Sequence, residues 1–348
     1  MPKALTNPWR GTGIDLDCPA PIADPSEAAA LLRLCPLHQN TPLRSIPELA
    51  AETGVAELWV KDERSRMGLG SFKALGAAHA IAREASVSRG AGDWSTALRG
   101  RTYVTASAGN HGLSVAAGAR VFGADAVIYL AESVPAAFGA RLEAKGARVV
   151  RAGAAYEASM DAALLAAEEQ GWTLLSDSSW PGYTELPLRV MEGYLQLSAE
   201  AADEIPEQPT HILLQAGVGG LAAAVAAHAR YVWGDGPEVI VVEPETAPAL
   251  IESVREGRMV TTEGPVSEMG RLDCKTPSLI ALKGLSHDAD RFLTITEDEG
   301  RRGADRLAEY DLETTPSGGA GLSALLAGME LGRDARVLTI LSEGPEDG

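Results

Sequence analysis

Short runs of β-branched and aliphatic residues alternate with longer alanine-rich segments along most of this chain, and most of the longer segments end close to a glycine. Between residues 102 and 175 the pattern predicts strands at 103–105, 126–130, 147–150 and 173–175 and helices at 111–122, 134–145 and 154–170. Helices that end on glycine ahead of a β-branched run are typical of βαβ units. Such units build a parallel sheet with right-handed crossovers.

A second series of the same kind flanks the first. It predicts strands at 58–61, 211–215, 239–242 and 337–341 and helices at 71–84, 188–203, 220–232, 297–309 and 319–330, with Ser71 as a candidate N-cap. Residues 1–35 are rich in Pro, Gly and Asp and are expected to wrap the surface or add an edge strand. We therefore predict an α/β protein of two units, with a ligand between them near the carboxyl ends of the strands.

Composition narrows the list of partners. The formal charge of −18 disfavours nucleic acid and anionic membranes. Cys18, Cys35 and Cys274 are odd in number and far apart, so no disulfide framework is expected. The six histidines and three cysteines show no metal-ligand spacing, so no metal is expected. The chain has no apolar run long enough to cross a membrane and begins without a secretory signal, which predicts a cytoplasmic protein.

Lys73 is the first candidate for chemistry. It ends the segment GLGSFK (68–73) and is one of only six lysines in a chain with 30 basic residues. Lysine can lose its proton and form an imine, which arginine cannot do. The alternative is a solvated lysine at the start of a helix. If Lys73 is reactive, the adjacent Phe72 is a candidate contact for the same ligand.

A glycine-rich turn follows the predicted strand 211–215. Gly217, Val218, Gly219, Gly220 and Leu221 open the next helix, where backbone N–H groups and the helix N-terminus attract an anion. The spacing differs from the dinucleotide fingerprint and lacks the Lys-Ser/Thr ending of an ATP-binding loop. A cradle for a single phosphate is the best match. The alternative is an ordinary tight turn between strand and helix.

Another strand–turn–helix has the sequence TASAGNHG (105–112). Ser107 and the amides of Ala108 and Gly109 are candidates for binding a substrate carboxylate, and Asn110 could bond a phenolate oxygen. His111 is a candidate base or substrate contact. All of them could instead cap the helix that follows.

A third turn has the sequence TTPSGGAG (314–321). A neutral hydroxyl from Ser317 against a pyridine nitrogen would leave that nitrogen unprotonated, which suits elimination at a β-carbon more than transamination. The alternative is again a helix cap. Lys73, the glycine cradle and Ser317 together predict pyridoxal 5'-phosphate (PLP) as cofactor.

In this order, the motifs SFK, SAGNH, GVGG and SGG resemble the fold-type II PLP enzymes, the tryptophan synthase β-like superfamily. More specific segments resemble diaminopropionate ammonia-lyase, at 61–73, 177–183, 213–219, 242–244 and 269–278. The resemblance implies a two-domain, three-layer α/β/α fold with mostly parallel sheets. It also implies a large PLP-binding domain of 1–75 and 186–348, a small α/β domain of 76–185, and a homodimer.

The resemblance also implies roles for individual residues. Lys73 would form the Schiff base with the cofactor, and Asn110 would contact the 3-oxygen of its ring. Residues 217–221 would hold the phosphate, and Ser317 would face the pyridine nitrogen. Asp177 matches an acid near the substrate amino group, or is only an N-cap.

Two positions depart from the lyase pattern. The lyases carry Asp immediately before Gly-Asn-His as a base for the D-substrate, whereas this chain has Ala108. The triplet 107–109 instead resembles threonine and serine dehydratases, so an L-substrate with Lys73 as α-proton base is expected. Lys275 stands where the lyases usually carry Gly, and either reaches a distinctive substrate group or is a surface change.

The sequence therefore predicts an ammonia-lyase that eliminates across the α- and β-carbons of a small amino acid and yields a 2-oxo acid and ammonia. Lys73 would take the α-proton, and Asp177 or the cofactor phosphate would protonate the leaving group. The close alternative is a 3-hydroxy amino acid dehydratase acting on threonine, serine, 3-hydroxyaspartate or phenylserine. Ala108 favours the dehydratase, and the segments at 61–73, 177–183 and 269–278 favour the lyase.

Two other classes of protein remain as rivals. A catalytically silent scaffold could keep the fold and would show no visible absorbance from bound cofactor. A nucleotide-dependent oxidoreductase would need a dinucleotide fingerprint, which residues 110–113 do not supply.

Overall fold

Two separate β-sheets organise the computed structural model, which describes residues 3–35, 37–90 and 92–345. The strands are β1 (Ala4–Thr6), β2 (Leu43–Ser45), β3 (Glu57–Asp62), β4 (Thr102–Ala106), β5 (Asp125–Leu130), β6 (Arg148–Arg151), β7 (Thr173–Leu174), β8 (His211–Gln215), β9 (Glu238–Pro244), β10 (Arg291–Ile295) and β11 (Arg336–Leu341). The α-helices are α1 (Ser26–Leu32), α2 (Pro47–Thr53), α3 (Lys73–Ser88), α4 (Asn110–Val121), α5 (Ala136–Ala144), α6 (Tyr156–Gln170), α7 (Glu185–Gly193), α8 (Leu195–Glu204), α9 (Gly220–Trp233), α10 (Ala249–Glu256), α11 (Leu279–Asp288), α12 (Glu297–Ala308) and α13 (Ala320–Leu326).

The larger sheet has the order β1-β10-β9-β8-β11-β3-β2, and the smaller has the order β6-β5-β4-β7. The five central strands of the larger sheet and all four of the smaller are parallel, and only the edge strands β1 and β2 are antiparallel. Parallel strands need helical crossovers, which cover the sheet faces. The predicted α/β class with mostly parallel sheets is confirmed, and β1 is the predicted N-terminal edge strand.

One apolar cluster runs through both sheets and the helices between them. It includes Ile81 on α3, Leu113 on α4, Ile128 on β5 and Val225 on α9, each at most 3% exposed. The predicted domain boundaries at 75/76 and 185/186 stay predictions. Helix α3 packs on α4, in the predicted small domain, and also on α7, which begins where that domain is predicted to end.

Adjacent strands bring the candidate segments to one place. β8, β11 and β3 are neighbours, and their carboxyl ends lead into the glycine turn 216–219, into Glu343 and into the loop before Lys73. In the smaller sheet β4 and β7 are neighbours and lead into Ser107 and Asp177. The carboxyl ends of parallel strands are where α/β proteins bind ligands.

Three predicted elements differ from the structure. The segment 188–203 is two helices that meet at Tyr194, where Gly193 packs so closely on α3 that a Cβ would lie 2.5 Å from the Leu75 carbonyl oxygen. The last helix ends at Leu326, ahead of Gly328 with φ of +96°. Ser71 lies one residue before the cap position, which Phe72 holds, but its hydroxyl accepts from the Lys73 N–H at 3.3 Å.

Within the part of the chain described, no helix is long and apolar enough to cross a membrane. Over the same residues, no three His, Cys, Asp or Glu side chains are grouped as metal ligands.

Candidate active site

The loop before α3 fixes where Lys73 stands. Ser71 pairs with Glu343 in an isolated β-bridge, and the Phe72 N–H donates to the Ser342 carbonyl at 3.1 Å. Gly70 has φ of +78°, a left-handed conformation that favours glycine. These contacts hold the first residue of α3 against the carboxyl end of β11, where the Lys73 side chain is 23% exposed.

Lys73 forms an ion pair with Asp177, which follows β7 of the smaller sheet. Burial disfavours both charges, but the attraction between the two groups outweighs it, so the pKa of Lys73 is raised and the pKa of Asp177 is lowered. The ammonium and carboxylate forms are therefore stable together. The pair joins the two sheets at one point and places a carboxylate within reach of any proton that Lys73 carries.

Two aromatic rings accompany the Lys73 amine. Its Nζ lies 5.2 Å from the ring centroid of Phe72 and 5.9 Å from that of Tyr194. The two rings meet edge to face, with centroids 4.8 Å apart. Phe72, predicted from the sequence, and Tyr194, which sequence reasoning missed, thus form an apolar wall beside the amine.

The 107–112 turn uses its own polar groups to begin α4. The Ser107 hydroxyl accepts hydrogen bonds from the N–H groups of Gly109 at 3.2 Å and Gly112 at 3.1 Å. The turn is therefore capped by Ser107. Binding of a substrate carboxylate by Ser107, Ala108 and Gly109 stays a prediction.

His111 is buried, at 5% exposure, behind this turn. Its Nε2 bonds the Leu175 carbonyl oxygen at 2.8 Å and must be the donor, since a carbonyl only accepts. Burial and the nearby Lys73 ammonium lower the pKa of His111, although Asp177 opposes them. The imidazole is therefore neutral, with Nδ1 an acceptor that has no partner among the described residues.

Glu343 is a functional candidate that sequence reasoning missed. Its carboxylate is 5% exposed and accepts from Asn110 Nδ2 at 2.5 Å and from Thr315 Oγ1 at 2.5 Å. Asn110, predicted to contact the 3-oxygen of the cofactor ring, is thus held by a buried carboxylate at the end of β11. An acid directly after a buried strand was the available signal in the sequence.

Arg271 connects three of the candidate segments. Its backbone N–H donates to the Ser317 hydroxyl at 3.1 Å, and its guanidinium donates to the Ala108 carbonyl at 3.2 Å. Its Nε lies 3.9 Å from Glu343 Oε2. The sequence offered no particular signal for Arg271 beyond its place in the segment 269–278. Ser317 itself is 3% exposed.

The glycine turn leaves no room for side chains. A Cβ on Gly217 would lie 3.0 Å from both Leu272 Cα and Cys274 Sγ, and one on Gly219 would lie 3.1 Å from Ala281 Cβ. Gly219 has φ of +95°, which favours glycine. α9 begins at Gly220, so the first N–H groups of this helix have no partners within it, and N–H groups of this kind attract an anion.

Lys275 is tied into the segment that covers the glycine turn. Its Nζ donates to the carbonyl oxygens of Thr246 and Pro265, both at 2.8 Å, and to Asp273 Oδ1 at 2.6 Å. An ammonium has three protons to donate, and these acceptors take all three. The geometry supports a structural role for Lys275 rather than contact with a substrate.

Comparison with known proteins shows which family the chain resembles. The sequence profile of the family described as "Pyridoxal-phosphate dependent enzyme" matches residues 34–343. The diaminopropionate ammonia-lyase of Escherichia coli K12 is 30% identical over 340 residues, covering 89% of this chain and 85% of that protein. Human L-serine dehydratase/L-threonine deaminase is 29% identical over 293 residues, covering 83% of each.

A solved structure agrees over nearly the whole chain. The crystal structure of E. coli diaminopropionate ammonia-lyase, in complex with an aminoacrylate-PLP azomethine reaction intermediate, aligns with a TM-score of 0.86 and 28% identity. The alignment covers 99% of this chain and 94% of that one. The fold-type II architecture inferred from the motifs is confirmed.

The residues of this site fit PLP. A lysine amine is available for the aldehyde, the glycine turn and the start of α9 form an anion site closed to side chains, and the Asn110 amide can donate to a ring oxygen. The cofactor predicted from the sequence is thus confirmed by the family and consistent with the site. The chain belongs to the pyridoxal-phosphate dependent enzyme family and is a PLP-dependent lyase of fold type II.

Proposed function

We propose that this lyase is an ammonia-lyase for a small 2,3-diamino acid of L configuration, with L-2,3-diaminopropionate as the type substrate. The Lys73–Asp177 ion pair carries the proposal, because it places a proton acceptor and a carboxylate together at the meeting point of the two sheets. Similarity to diaminopropionate ammonia-lyase over 89% of the chain supports the same leaving group.

In this proposal Lys73, Phe72, Asn110, the turn 217–221 and Ser317 hold the cofactor. PLP, when bound, supplies an electron sink that stabilises negative charge at the α-carbon. Lys73, which the ion pair with Asp177 holds as an ammonium, would remove the α-proton only after its amine has lost that proton on covalent attachment to the cofactor. Asp177 then holds the resulting ammonium, and its effect in raising the pKa of Lys73 makes the amine a stronger base.

The leaving amino group must gain a proton as it departs. The Lys73 ammonium, held by Asp177, is the donor that the geometry offers, so one proton moves from the α-carbon through Lys73 to the 3-nitrogen. The net reaction consumes one water and yields a 2-oxo acid and two molecules of ammonia from each diamino acid. A 3-hydroxy amino acid would give one ammonia for each 2-oxo acid.

Ala108 supports the L configuration. The α-hydrogens of D- and L-substrates point to opposite faces of a bound substrate, so a base on one face serves one of them. The side chain at position 108 is a methyl group, which cannot act as a base. Lys73, paired with Asp177, is then the base of the proposal, and it serves the L-substrate.

Dehydration of a 3-hydroxy amino acid is the second candidate, favoured by the triplet Ser107-Ala108-Gly109 and by the similarity to human L-serine dehydratase/L-threonine deaminase. The deciding experiment compares kcat/KM for L-2,3-diaminopropionate, L-serine and the D forms, with pyruvate and ammonia measured together. We expect the L-diamino acid to lead by about tenfold or more, a difference of about 1.4 kcal/mol. A comparable lead for L-serine would replace this proposal with the dehydratase.

The proposal includes a cytoplasmic homodimer with the domain boundaries predicted above. Light scattering of the purified protein at micromolar concentration tests the oligomeric state, and a monomer would remove this part.

A further inference from the structure

Tyr194 presents a buried hydroxyl without a partner. The residue is 1% exposed, and none of the residues that the structure describes accepts a hydrogen bond from its hydroxyl. Buried polar groups are nearly always hydrogen-bonded, so an orphan beside a binding site points to a missing ligand. The proposed mechanism uses no atom of this side chain.

Packing fixes the position of the ring. A Cβ on Gly76 of α3 would lie 2.6 Å from Tyr194 Cε1, and one on Gly220, the first residue of α9, would lie 3.6 Å from Cε2. The edge of Phe72 meets the same ring. Tyr194 is therefore wedged between the starts of α3 and α9, and its hydroxyl lies beside the Lys73 amine.

The chemistry of the neighbours shows what kind of partner is missing. An ammonium carries only donors, and the nearby carboxylate of Asp177 accepts from Lys73 but not from this hydroxyl. Burial raises the pKa of Tyr194, so the phenol stays protonated. The hydroxyl proton therefore lacks an acceptor, and the ligand should bring an oxygen acceptor to the start of α9.

We propose that the Tyr194 hydroxyl donates a hydrogen bond to the phosphate of bound PLP and is a side-chain ligand of that group alongside the glycine turn. The inference rests on the proposed location of the phosphate at the N-terminus of α9. A phenol that donates to a phosphate dianion forms a charge-assisted bond, which is stronger than a neutral one.

The test compares two ligands that differ only in the phosphate. Apoprotein of the wild type, Tyr194→Phe and Tyr103→Phe is titrated with PLP and with pyridoxal, and binding is followed by absorbance. Tyr103 is a matched control, since it is buried at 0% exposure but its hydroxyl already donates to Glu84. We expect Tyr194→Phe to weaken PLP binding about tenfold or more and pyridoxal binding less than about twofold.

Other outcomes overturn the proposal in distinguishable ways. Equal weakening of PLP and pyridoxal binding would mean that Tyr194 acts by positioning Lys73 or by supporting the fold. Unchanged binding of both ligands would mean that the hydroxyl does not bind the phosphate. If the wild type bound PLP no better than pyridoxal, there would be no phosphate site at the start of α9. That result would contradict both the role of Tyr194 and the proposed function. The phosphorus NMR resonance of bound PLP should shift in Tyr194→Phe and stay in place in Tyr103→Phe.

A second variant tests the same proposal if Tyr194→Phe does not fold. Fluorotyrosine introduced at position 194 keeps the size and lowers the pKa of the hydroxyl, which strengthens its donation. We expect tighter PLP binding and a shifted phosphorus resonance, with pyridoxal binding unchanged. An unchanged resonance and unchanged PLP affinity would contradict the assignment.

Discussion

Asn110 Nδ2 donates a 2.5 Å hydrogen bond to Oε2 of Glu343, a residue 233 positions further along the chain. The bond joins the first residue of α4, on the smaller sheet, to the segment that follows β11 on the larger one. Because Glu343 Oε1 accepts from Thr315 Oγ1 at the same time, one buried carboxylate fixes two segments of the site. Bonds of this kind between a carboxylate and neutral donors are stronger than neutral ones.

Removal of the Glu343 carboxylate should therefore cost stability. Glu343→Ala removes the acceptor of a buried donor, Thr315 Oγ1, and of a half-buried one, Asn110 Nδ2, and we expect a loss of about 2–4 kcal/mol in the free energy of unfolding. Glu343→Gln keeps one acceptor oxygen and should lose about half as much. Urea denaturation of the apoprotein measures both, and a double-mutant cycle with Asn110→Ala should give a coupling of about 0.5–3 kcal/mol. Additive effects would show that the 2.5 Å bond is not formed in solution.

Lys73→Ala should abolish the visible absorbance of bound cofactor and the lyase activity, because the amine is both the covalent attachment and the base in the proposed function. The purified protein is measured by absorbance after addition of PLP, and mass spectrometry after borohydride reduction locates the modified peptide. Lys145→Ala is the control, since Lys145 is half-buried at the C-cap of α5 and is no part of the candidate site. Retention of the band in Lys73→Ala would place the cofactor on another residue.

The features that can be predicted from the sequence are those that depend on local patterns. The parallel strands, the lysine after a glycine-rich loop and the turn 217–221 each depend on residues within a few positions of one another. Lys73 and Asp177 were each identified from the sequence, but their pairing depends on β7 and α3 meeting across 104 positions.

The residues that sequence missed act through contacts between distant segments. Glu343 gains its partners only when β11 lies between β8 and β3. Tyr194 fell inside a predicted continuous helix, which the structure breaks because glycines bring α7 and α3 into close contact. The Ser71 hydroxyl accepts from the Lys73 N–H as a cap would, but the Ser71 backbone pairs with Glu343, so α3 begins at Lys73.

Ala108→Asp should extend activity to D-2,3-diaminopropionate. A carboxylate at this position would offer a base on the side of the substrate opposite Lys73, provided that the proposed function holds. We expect kcat/KM for the D form to rise about a hundredfold over that of Ala108→Asn, which has nearly the same shape and no base. The ratio of D to L turnover is the measured quantity, and equal ratios in the two variants would show that position 108 does not set stereochemistry.

We expect acid to destabilise the loop that carries Lys73, because protonation of Glu200 removes the charge that holds this loop. Glu200 is 2% exposed and pairs with Lys61 and Arg66, each at 2.7 Å and 0% exposed. Arg66 lies in the segment Glu63–Gly68 that leads to Lys73. Burial opposes the charge on Glu200, but hydrogen bonding and attraction from Arg66, with attraction from Lys61, lower its pKa to about 2 from an ordinary 4.5.

A lowered pKa in the folded state means that the stabilisation is complete above pH 4.5 and is lost as pH falls from 4.5 to about 2. The loss over this range is about 3 kcal/mol for a shift of this size. Glu200→Gln should cost about 3–5 kcal/mol at neutral pH, since it leaves buried Lys61 without its carboxylate and Arg66 with Glu63 but without Glu200, and it should flatten the acid dependence. Glu309→Gln, at an exposed ion pair with Arg306, should change stability by less than about 1 kcal/mol. Urea denaturation at a series of pH values measures all three proteins, and an acid dependence in Glu200→Gln equal to that of the wild type would assign the loss to other carboxylates.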